Sequence, residues 1–223
     1  MVIQAIGSFL PAAVGVAISP IPIIAVVLML GTPRARSDGP AFAAGWMLGM
    51  VAVSVVVLLL TSTADTSSSA SDSVNWVKVG LGILFLVLAK KQWSSRPAEG
   101  EEPEMPGWMQ KVDELPPGKA FTLGAALSGL NPKNLALTAA AAATISQAGL
   151  GTSDTLIAVA VFVLIASITV VGAVVFYLVA EDKAKAPLAS IKEFMAEHNT
   201  VIMMVILIVL GAKLLGDGFG GLG

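Results

Sequence analysis

The stretch Leu127-Ser-Gly-Leu-Asn-Pro-Lys-Asn134 interrupts a long apolar run of the chain. A lysine at the centre of a bilayer costs about 2.5–3.5 kcal/mol on insertion scales, because hydrocarbon offers its ammonium no water. Pro132 has no N–H, so it removes a hydrogen bond from one turn of the helix. Irregular backbone at membrane depth is tolerated only where it faces protein or a wet cavity. A similar break occurs at Ile18-Ser-Pro-Ile-Pro22. We therefore predict that the two breaks face each other and form one site.

The composition is that of a polytopic membrane protein. Of 223 residues, 56% are hydrophobic and 13% are charged, whereas about 25% of residues are charged in soluble domains. The chain has no cysteine, which excludes disulfides and thiolate metal sites, and a single histidine. No nucleophile–base set, phosphate loop or basic patch is visible. We therefore predict no enzymatic activity, no metal, no cofactor and no nucleic-acid partner. The N-terminus lacks a positive segment, so the first apolar run is expected to be retained.

Six apolar runs approach the roughly 20 residues that a spanning helix needs. They cover residues 3–31, 40–63, 74–89, 120–148, 155–180 and 200–215. Pro11, Pro20 and Pro22 are expected to break the first run, and Pro132 the fourth. Residues 187–197 have one apolar and one charged face, which predicts a short helix on the membrane surface.

Positive residues predict the orientation. Most of the 13 lysines and arginines fall in the loops after the first, third and fifth runs: Arg34, Arg36, Lys90, Lys91, Arg96, Lys111, Lys119, Lys183, Lys185 and Lys192. Of the others, Lys78 lies just inside the third run, Lys133 at the second break and Lys213 near the outer end of the sixth run. The loops at residues 64–73 and 149–154 carry no lysine or arginine. The first, third and fifth loops are therefore predicted to be cytoplasmic, and both termini to lie outside.

Six spans with both termini on one side can be divided into two groups of three that run in opposite directions, as in many transporters. Gly15-Val-Ala-Ile-Ser19 and Gly124-Ala-Ala-Leu-Ser128 resemble each other near the start of the two groups. We predict an all-α fold of two inverted three-helix repeats, residues 1–91 and 119–223, joined by a cytoplasmic linker, residues 92–118. The first and fourth helices are expected to be broken near mid-membrane. Asn131 lies about 18 Å along a helix from Lys119, close to the middle of a core about 30 Å thick.

The candidate substrate-binding residues lie at the two breaks: Ser19, Pro20, Pro22, Ser128, Asn131, Pro132, Lys133 and Asn134. No acidic residue lies inside an apolar run to neutralise Lys133, which favours an anionic ligand. The alternative is that Lys133 is a structural plug that bonds freed carbonyls. The asparagines either bind substrate or cap the half-helices, and the serines either bind substrate or bond to their own helix.

Small and aromatic residues suggest further structural roles. Gly45, Gly49, Gly80, Gly82 and Gly172 are expected at close helix contacts. The four tryptophans, Trp46, Trp76, Trp93 and Trp108, are expected in interfacial belts or loops.

Three motifs resemble those of a known family: Ser-Pro-Ile-Pro at 19–22, Asn-Pro-Lys-Asn at 131–134 and Gly-Ala-Lys-Leu-Leu at 211–215. They resemble the glycopeptidolipid or sulfolipid addressing proteins (the GAP family), part of the wider lysine exporter superfamily. The resemblance covers essentially the whole chain. It implies export from the cytoplasmic membrane of a bacterium, and for addressing proteins the delivery of complex glycolipids to the cell surface. The chain is also similar to membrane thiol-electron carriers, but it lacks the cysteines that these place at the two breaks.

Three functions remain open at this point. The first is a translocator of an anionic lipid, in which the two halves rock around the site. The second is a secondary exporter of amino acids or other small anionic or zwitterionic solutes. The third is a non-transporting accessory subunit of a lipid-export complex. The expected partners are membrane lipids, with a homo-oligomer or an export complex left open.

Overall fold

The computed structural model of the chain describes residues 2–63, 68–94, 109, 112 and 115–220. This part of the chain forms helices and contains no strand. The helices are α1 Val2–Ala17, α2 Pro20–Leu30, α3 Ala35–Thr63, α4 Ser68–Ser94, α5 Pro117–Gly129, α6 Pro132–Gln147, α7 Thr152–Val179, α8 Glu181–Glu197 and α9 Asn199–Gly220. Most of the predicted linker, residues 92–118, lies outside the described residues.

Prolines at the first positions of helices end the preceding helix, whereas prolines inside helices do not. α2 begins at Pro20 and α6 at Pro132, in both cases after a short non-helical step. The prediction that Pro11 breaks the first run is wrong, because α1 continues through it. A single interior proline removes one hydrogen bond and can kink a helix without ending it. α8 likewise continues through Pro187 and starts six residues earlier than predicted.

Three described helices are long and apolar enough to cross a bilayer: Ala35–Thr61 within α3, Thr152–Val179 and Asn199–Gly220. The pair α1 and α2 becomes a fourth when the two helices, bent by 50° at their break, are counted as one span. Large apolar side chains remain exposed along these helices, among them Leu59, Leu60, Leu164, Ile168, Val205 and Val209. Such a surface is typical of contact with lipid. The chain is therefore a membrane protein, although α5 and α6, at 13 and 16 residues, are each too short to span alone.

The helices pack in three main groups. The most extensive contacts join α3 to α5 and α4 to α9, and α1 packs against both α7 and α6. Phe9 of α1 meets Phe162 of α7 edge to face, with ring centroids 5.7 Å apart. The two broken pairs, α1–α2 and α5–α6, therefore lie inside a frame made by the long helices.

Glycine permits close backbone contact at three of the five predicted positions. A methyl group on Gly45 or Gly49 of α3 would overlap the backbone of α5, and one on Gly82 of α4 would meet the backbone of α9. Gly80 and Gly172 have nothing within 4 Å of such a methyl group, so the prediction is wrong for these two. They lie on open helix faces, where sequence alone cannot tell a contact from lipid.

The expectation for Trp46 is also wrong. Its side chain is 1% exposed, in the contact between α3 and α5. Gly124 of α5 approaches the backbone of α3 at this residue. The missing side chain of this glycine therefore lets the two helix backbones approach closely beside Trp46.

Polar contacts tie segments together at both ends of the bundle. At the end where α8 lies, Arg36 Nη2 is 3.2 Å from Glu181 Oε2, and Arg34 Nη2 donates to the Leu115 carbonyl at 3.1 Å. Asp38 is buried there and pairs with Arg34. We refer to this end as the α8 end.

At the opposite end, Ser146 Oγ donates to Thr61 Oγ1 at 2.8 Å, which connects α6 to α3. Lys78 Nζ donates to Gln147 Oε1 at 2.8 Å, which connects α4 to α6. Each end of the bundle is thus held by hydrogen bonds between residues far apart in the chain.

Candidate functional site

The two breaks have the same local construction. Ser19 precedes α2 in an extended conformation, with Pro20 as the first helical residue. Asn131 precedes α6 in the same way, with Pro132 as the first helical residue. Proline is favoured at this position because the N–H it lacks would have no helical partner. The N-cap positions therefore make Ser19 the counterpart of Asn131, whereas the sequence similarity pairs Ser19 with Ser128.

The first break leaves the Gly15 carbonyl without its usual partner. In a regular helix the N–H of Ser19 would donate to this carbonyl. Because Pro20 cannot donate to Val16, the Ser19 N–H turns to the Val16 carbonyl instead, at 3.1 Å. The Lys133 ammonium then donates to the Gly15 carbonyl at 2.9 Å. A carbonyl freed in the first half is thus satisfied by a lysine from the second.

The second break frees the Leu127 carbonyl by a shift in the opposite direction, in which the Asn131 N–H donates five residues back instead of four. The N–H groups of Leu130 and Asn131 both donate to the Ala126 carbonyl, at 2.8 and 3.1 Å. The Leu127 carbonyl is then taken by Asn134 Nδ2 at 2.9 Å. Each break therefore exposes one carbonyl, and α6 supplies the side chain that satisfies it.

Lys133 lies between the two breaks and is almost completely buried, with 4% of its surface exposed. Besides Gly15, its ammonium donates to Ser19 Oγ at 3.0 Å and contacts Met203 Sδ at 3.9 Å. The Ser19 hydroxyl in turn donates to Asn134 Oδ1 at 3.3 Å. No carboxylate of the described residues pairs with the ammonium. The Lys133 side-chain nitrogen therefore lies in the interior with only neutral acceptors around it.

The asparagines have different roles. Asn131 Oδ1 accepts from the Lys133 backbone N–H at 3.1 Å, so Asn131 caps α6. Capping is one of the two roles predicted for it. Asn134 is fully buried and joins the Lys133–Ser19 pair to the Leu127 carbonyl. Both residues position Lys133, and Asn134 belongs to its hydrogen-bond network.

The other candidate residues contribute less directly. Ser128 bonds back to the Ala125 carbonyl of its own helix at 3.1 Å and packs against Gly49 of α3, away from the network. Pro20 and Pro22 are buried in the first turn of α2, and the Pro132 ring is exposed. The structure thus brings Ser19, Lys133 and Asn134 into one network, with the prolines setting the breaks.

Sequence reasoning missed two members of the site. Thr169 of α7 donates its hydroxyl to the Ala17 carbonyl at the end of α1. Met203 of α9 contributes its sulfur to the surroundings of Lys133. Both residues lie in otherwise apolar helices. One indication of such residues was present in the sequence: the prolines of the first break lack N–H groups, so backbone carbonyls of α1 must accept hydrogen bonds from other helices.

Cavities open at both ends of the bundle. At the α8 end, a cavity of about 570 Å³ lies between the end of α2, α7 and α8, and its lining includes Tyr177, Lys185 and Lys192. At the opposite end, a cavity of about 700 Å³ is lined by polar side chains that include Lys78 and Lys213. We refer to the second cavity as the vestibule. The Lys133 network lies between the two along α1 and α2.

The family comparison extends over nearly the whole chain. A family profile described as "Sap, sulfolipid-1-addressing protein" matches residues 9–220, which include both breaks and every residue of the Lys133 network. The chain belongs to the sulfolipid-1-addressing protein family. This confirms the predicted resemblance to lipid-addressing proteins. No curated protein and no solved structure matches the chain significantly.

Proposed function

We propose that this sulfolipid-1-addressing family protein is a translocator of the bacterial cytoplasmic membrane, within the lysine exporter superfamily, that moves an anionic glycolipid toward the cell surface. In this proposal the chain is not an enzyme. The observation that carries the proposal is the buried Lys133 ammonium, which has neutral acceptors and no described carboxylate partner. A charge in a membrane interior is by default a functional group, and an anion would supply what its surroundings lack.

The packing of the helices supports two inverted repeats of three spans. In this arrangement α1, α2, α3 and α4 of the first repeat are equivalent to α5, α6, α7 and α9 of the second. The contact between α3 and α5 is then equivalent to the contact between α7 and α1. The contact of α3 with α6 becomes that of α7 with α2, and the α4–α9 pair maps onto itself. All of these contacts are present. In the proposed fold, α1–α2 and α5–α6 are the two broken spans, and α8 lies on the membrane surface.

The polar contacts at the bundle ends support the predicted orientation. Arg34, Arg36, Leu115 and Glu181 come from the first, third and fifth loops, and all meet at the α8 end. At the opposite end, the hydrogen bonds Ser146–Thr61 and Lys78–Gln147 join helix ends that lie next to the second and fourth loops. In the proposal the α8 end is cytoplasmic, so both termini lie outside and the vestibule opens outward.

The proposed mechanism is an exchange of acceptors at Lys133. In the state described, the ammonium is held by the Gly15 carbonyl and the Ser19 hydroxyl, and the site is closed. A sulfate or phosphate oxygen is a stronger acceptor for an ammonium than a neutral oxygen. An anionic headgroup that reaches Lys133 would therefore displace these groups and release the contact between the two breaks. Breaking this link frees one half to rock against the other, as alternating access requires.

Charge removal at Lys133 tests this function. Lys133→Gln keeps an N–H donor for the Gly15 carbonyl but carries no charge, and Lys119→Gln changes an exposed lysine at the start of α5 as a matched control. Both proteins would be reconstituted in liposomes that contain a fluorescent sulfated glycolipid, and its movement between leaflets followed by quenching.

We expect the wild type and Lys119→Gln to move the lipid at the same rate and Lys133→Gln to be at least about tenfold slower, the loss of one charge-assisted bond. Equal rates in all three proteins would contradict the proposal. A wild type that moves no lipid in liposomes, but whose Lys133→Gln variant stops lipid delivery in cells, would instead indicate an accessory subunit.

A further inference from the structure

The vestibule has the chemistry of a binding site for an anionic, hydroxyl-bearing headgroup. It lies between the first turns of α1, the end of α6 and the last turns of α9, with α4 at its side. The side chains that matter for its chemistry are Lys78, Lys213, Asp217, Gln147, Ser8 and Thr144. Hydroxyl and amide groups, which both donate and accept, therefore line the same cavity as the charged groups.

Among the described residues that line the vestibule, the charges leave one ammonium in excess. Lys213 pairs with Asp217, one turn later on α9. Lys78 on α4 lies within electrostatic range of both, but in the described part of the chain it forms no ion pair. Its one hydrogen bond there goes to the neutral Gln147, at 2.8 Å. An ammonium has three donors, so Lys78 has donors to offer to an anion in the cavity.

A narrow crevice extends the vestibule toward the Lys133 network. It shares Ser8, Lys78 and Lys213 with the vestibule and continues between α1, α6 and α9 to Leu137 and Leu210.

The inner end of the crevice is one side-chain layer from Lys133. The Cδ1 atoms of Leu137 and Leu210 would lie 3.2 and 2.6 Å from a methyl group on Gly15, so both leucines pack on this glycine. The carbonyl of the same glycine accepts from Lys133. Along α1, Ser8 and Gly15 are seven residues apart, or about 10 Å. The Lys133 network and the vestibule are therefore close together along α1, with a crevice of about 20 Å³ and two leucine side chains between them.

We propose that the vestibule is a second headgroup site, in which Lys78 receives the anionic group of a sulfated or phosphorylated glycolipid after it leaves Lys133. The hydroxyl and amide side chains around Lys78 bind the hydroxyl groups of the same headgroup. This inference rests on the proposed function, because it extends the path that starts at Lys133. Inorganic sulfate shares the anion chemistry but lacks both the sugar and the lipid chain, so a comparison of the two separates an anion site from a glycolipid site.

The absence of cysteine from the chain permits a local probe of binding. Gly220→Cys, exposed at the vestibule with open space around it, would carry an environment-sensitive fluorophore, and Ser190→Cys, exposed on α8 at the other end, would carry the same label as a control. The labelled full-length protein in nanodiscs would be titrated with sulfatide, with galactosylceramide, which lacks the sulfate, and with sodium sulfate.

We expect sulfatide to give a saturable signal from the label at position 220 but not from the label at position 190, and to bind at least about tenfold more tightly than galactosylceramide or sodium sulfate. Lys78→Gln should weaken sulfatide binding about tenfold, the effect of one charge-assisted hydrogen bond, whereas Lys119→Gln should leave it unchanged. Equal binding by wild type and Lys78→Gln would overturn the inference. Equal affinity for sulfate and sulfatide would overturn its glycolipid part and leave an anion site.

The outcomes separate this inference from the proposed function. If Lys133→Gln stops translocation but Lys78→Gln binds sulfatide as the wild type does, the function stands and the vestibule site falls. If Lys133→Gln translocates normally but Lys78→Gln loses sulfatide binding, the vestibule is a binding site and the proposed path through Lys133 is wrong.

Discussion

The bond between Lys133 and Ser19 predicts an energetic coupling between two residues 114 positions apart. Lys133 Nζ has two strong acceptors, the Gly15 carbonyl at 2.9 Å and Ser19 Oγ at 3.0 Å, and one weak contact with Met203. A hydrogen bond to a charged group contributes about 1.5–3 kcal/mol to stability. Ser19→Ala removes one of the two acceptors from a buried ammonium, and also the bond to Asn134, so we expect it to lower the free energy of unfolding by at least this amount.

The same substitution should matter less once the charge is gone. In a Lys133→Met background, Ser19 Oγ still donates to Asn134 Oδ1, a neutral bond 3.3 Å long. Such a bond contributes about 0.5–1.5 kcal/mol. Because this bond is lost in both backgrounds, the double-mutant cycle should give the Lys133–Ser19 bond itself, a coupling energy of about 1.5–3 kcal/mol.

Reversible unfolding in mixed detergent micelles, followed by tryptophan fluorescence, measures the four free energies of this cycle. Ser8→Ala is the matched control, because Ser8 is exposed and bonds only to the Gln4 carbonyl of its own helix. It should change stability by less than about 0.5 kcal/mol. If Ser19→Ala costs the same in both backgrounds, the ammonium does not depend on Ser19, and the reasoning that connects the two breaks is refuted.

Three further predictions concern the frame around the site. Gly124→Ala should lower the free energy of unfolding by about 1–3 kcal/mol, because its methyl group would overlap the α3 backbone. Gly172→Ala, with open space around it, should be neutral or slightly stabilising. Thermal melts would compare the two variants. Thr169→Val leaves a buried carbonyl at the end of α1 unpaired and should cost about 1–3 kcal/mol, and a melt equal to that of the wild type would contradict this role. Hydrogen bonds from the Tyr177 hydroxyl, and then from Lys185 and Arg36, hold the pKa of the Glu181 carboxyl below its ordinary value of 4.5. The ionised carboxylate therefore contributes to stability above pH 4.5, and this contribution is lost as the pH falls through the lowered pKa. Glu181→Gln should therefore melt lower than the wild type at pH 7, and a difference that persists under strongly acidic conditions would contradict this.

The breaks could be predicted from sequence because proline chemistry is local. Pro20 and Pro132 start helices in the structure where the sequence indicated, and Asn131 caps α6 through its side chain. The prediction for Pro11 failed because the same chemistry does not decide whether a helix ends or only bends. In each case that succeeded, a polar residue stood directly before the proline and could take the N-cap position.

The partners of Lys133 could not be predicted, because they depend on tertiary packing. The rule that proline frees the carbonyl four residues earlier points to Val16, yet the backbone shifts by one residue and frees Gly15 instead. Nothing in the sequence around Gly15 indicates that a lysine 118 residues away will reach its carbonyl. For the same reason, the sequence left both a functional and a structural role open for Lys133. In the structure its ammonium donates to the freed Gly15 carbonyl, and no carboxylate of the described residues pairs with it.

The identity of tightly held lipid is the most direct test of whether Lys133 anchors an anionic ligand. Native mass spectrometry would compare the purified wild type, Lys133→Gln and the control Lys119→Gln after the same exposure to sulfatide and galactosylceramide. We predict that the wild type and the control retain sulfatide in preference to the uncharged lipid, and that Lys133→Gln loses this preference. Equal retention of sulfatide by all three proteins would contradict it and leave Lys133 as a structural plug of the two breaks.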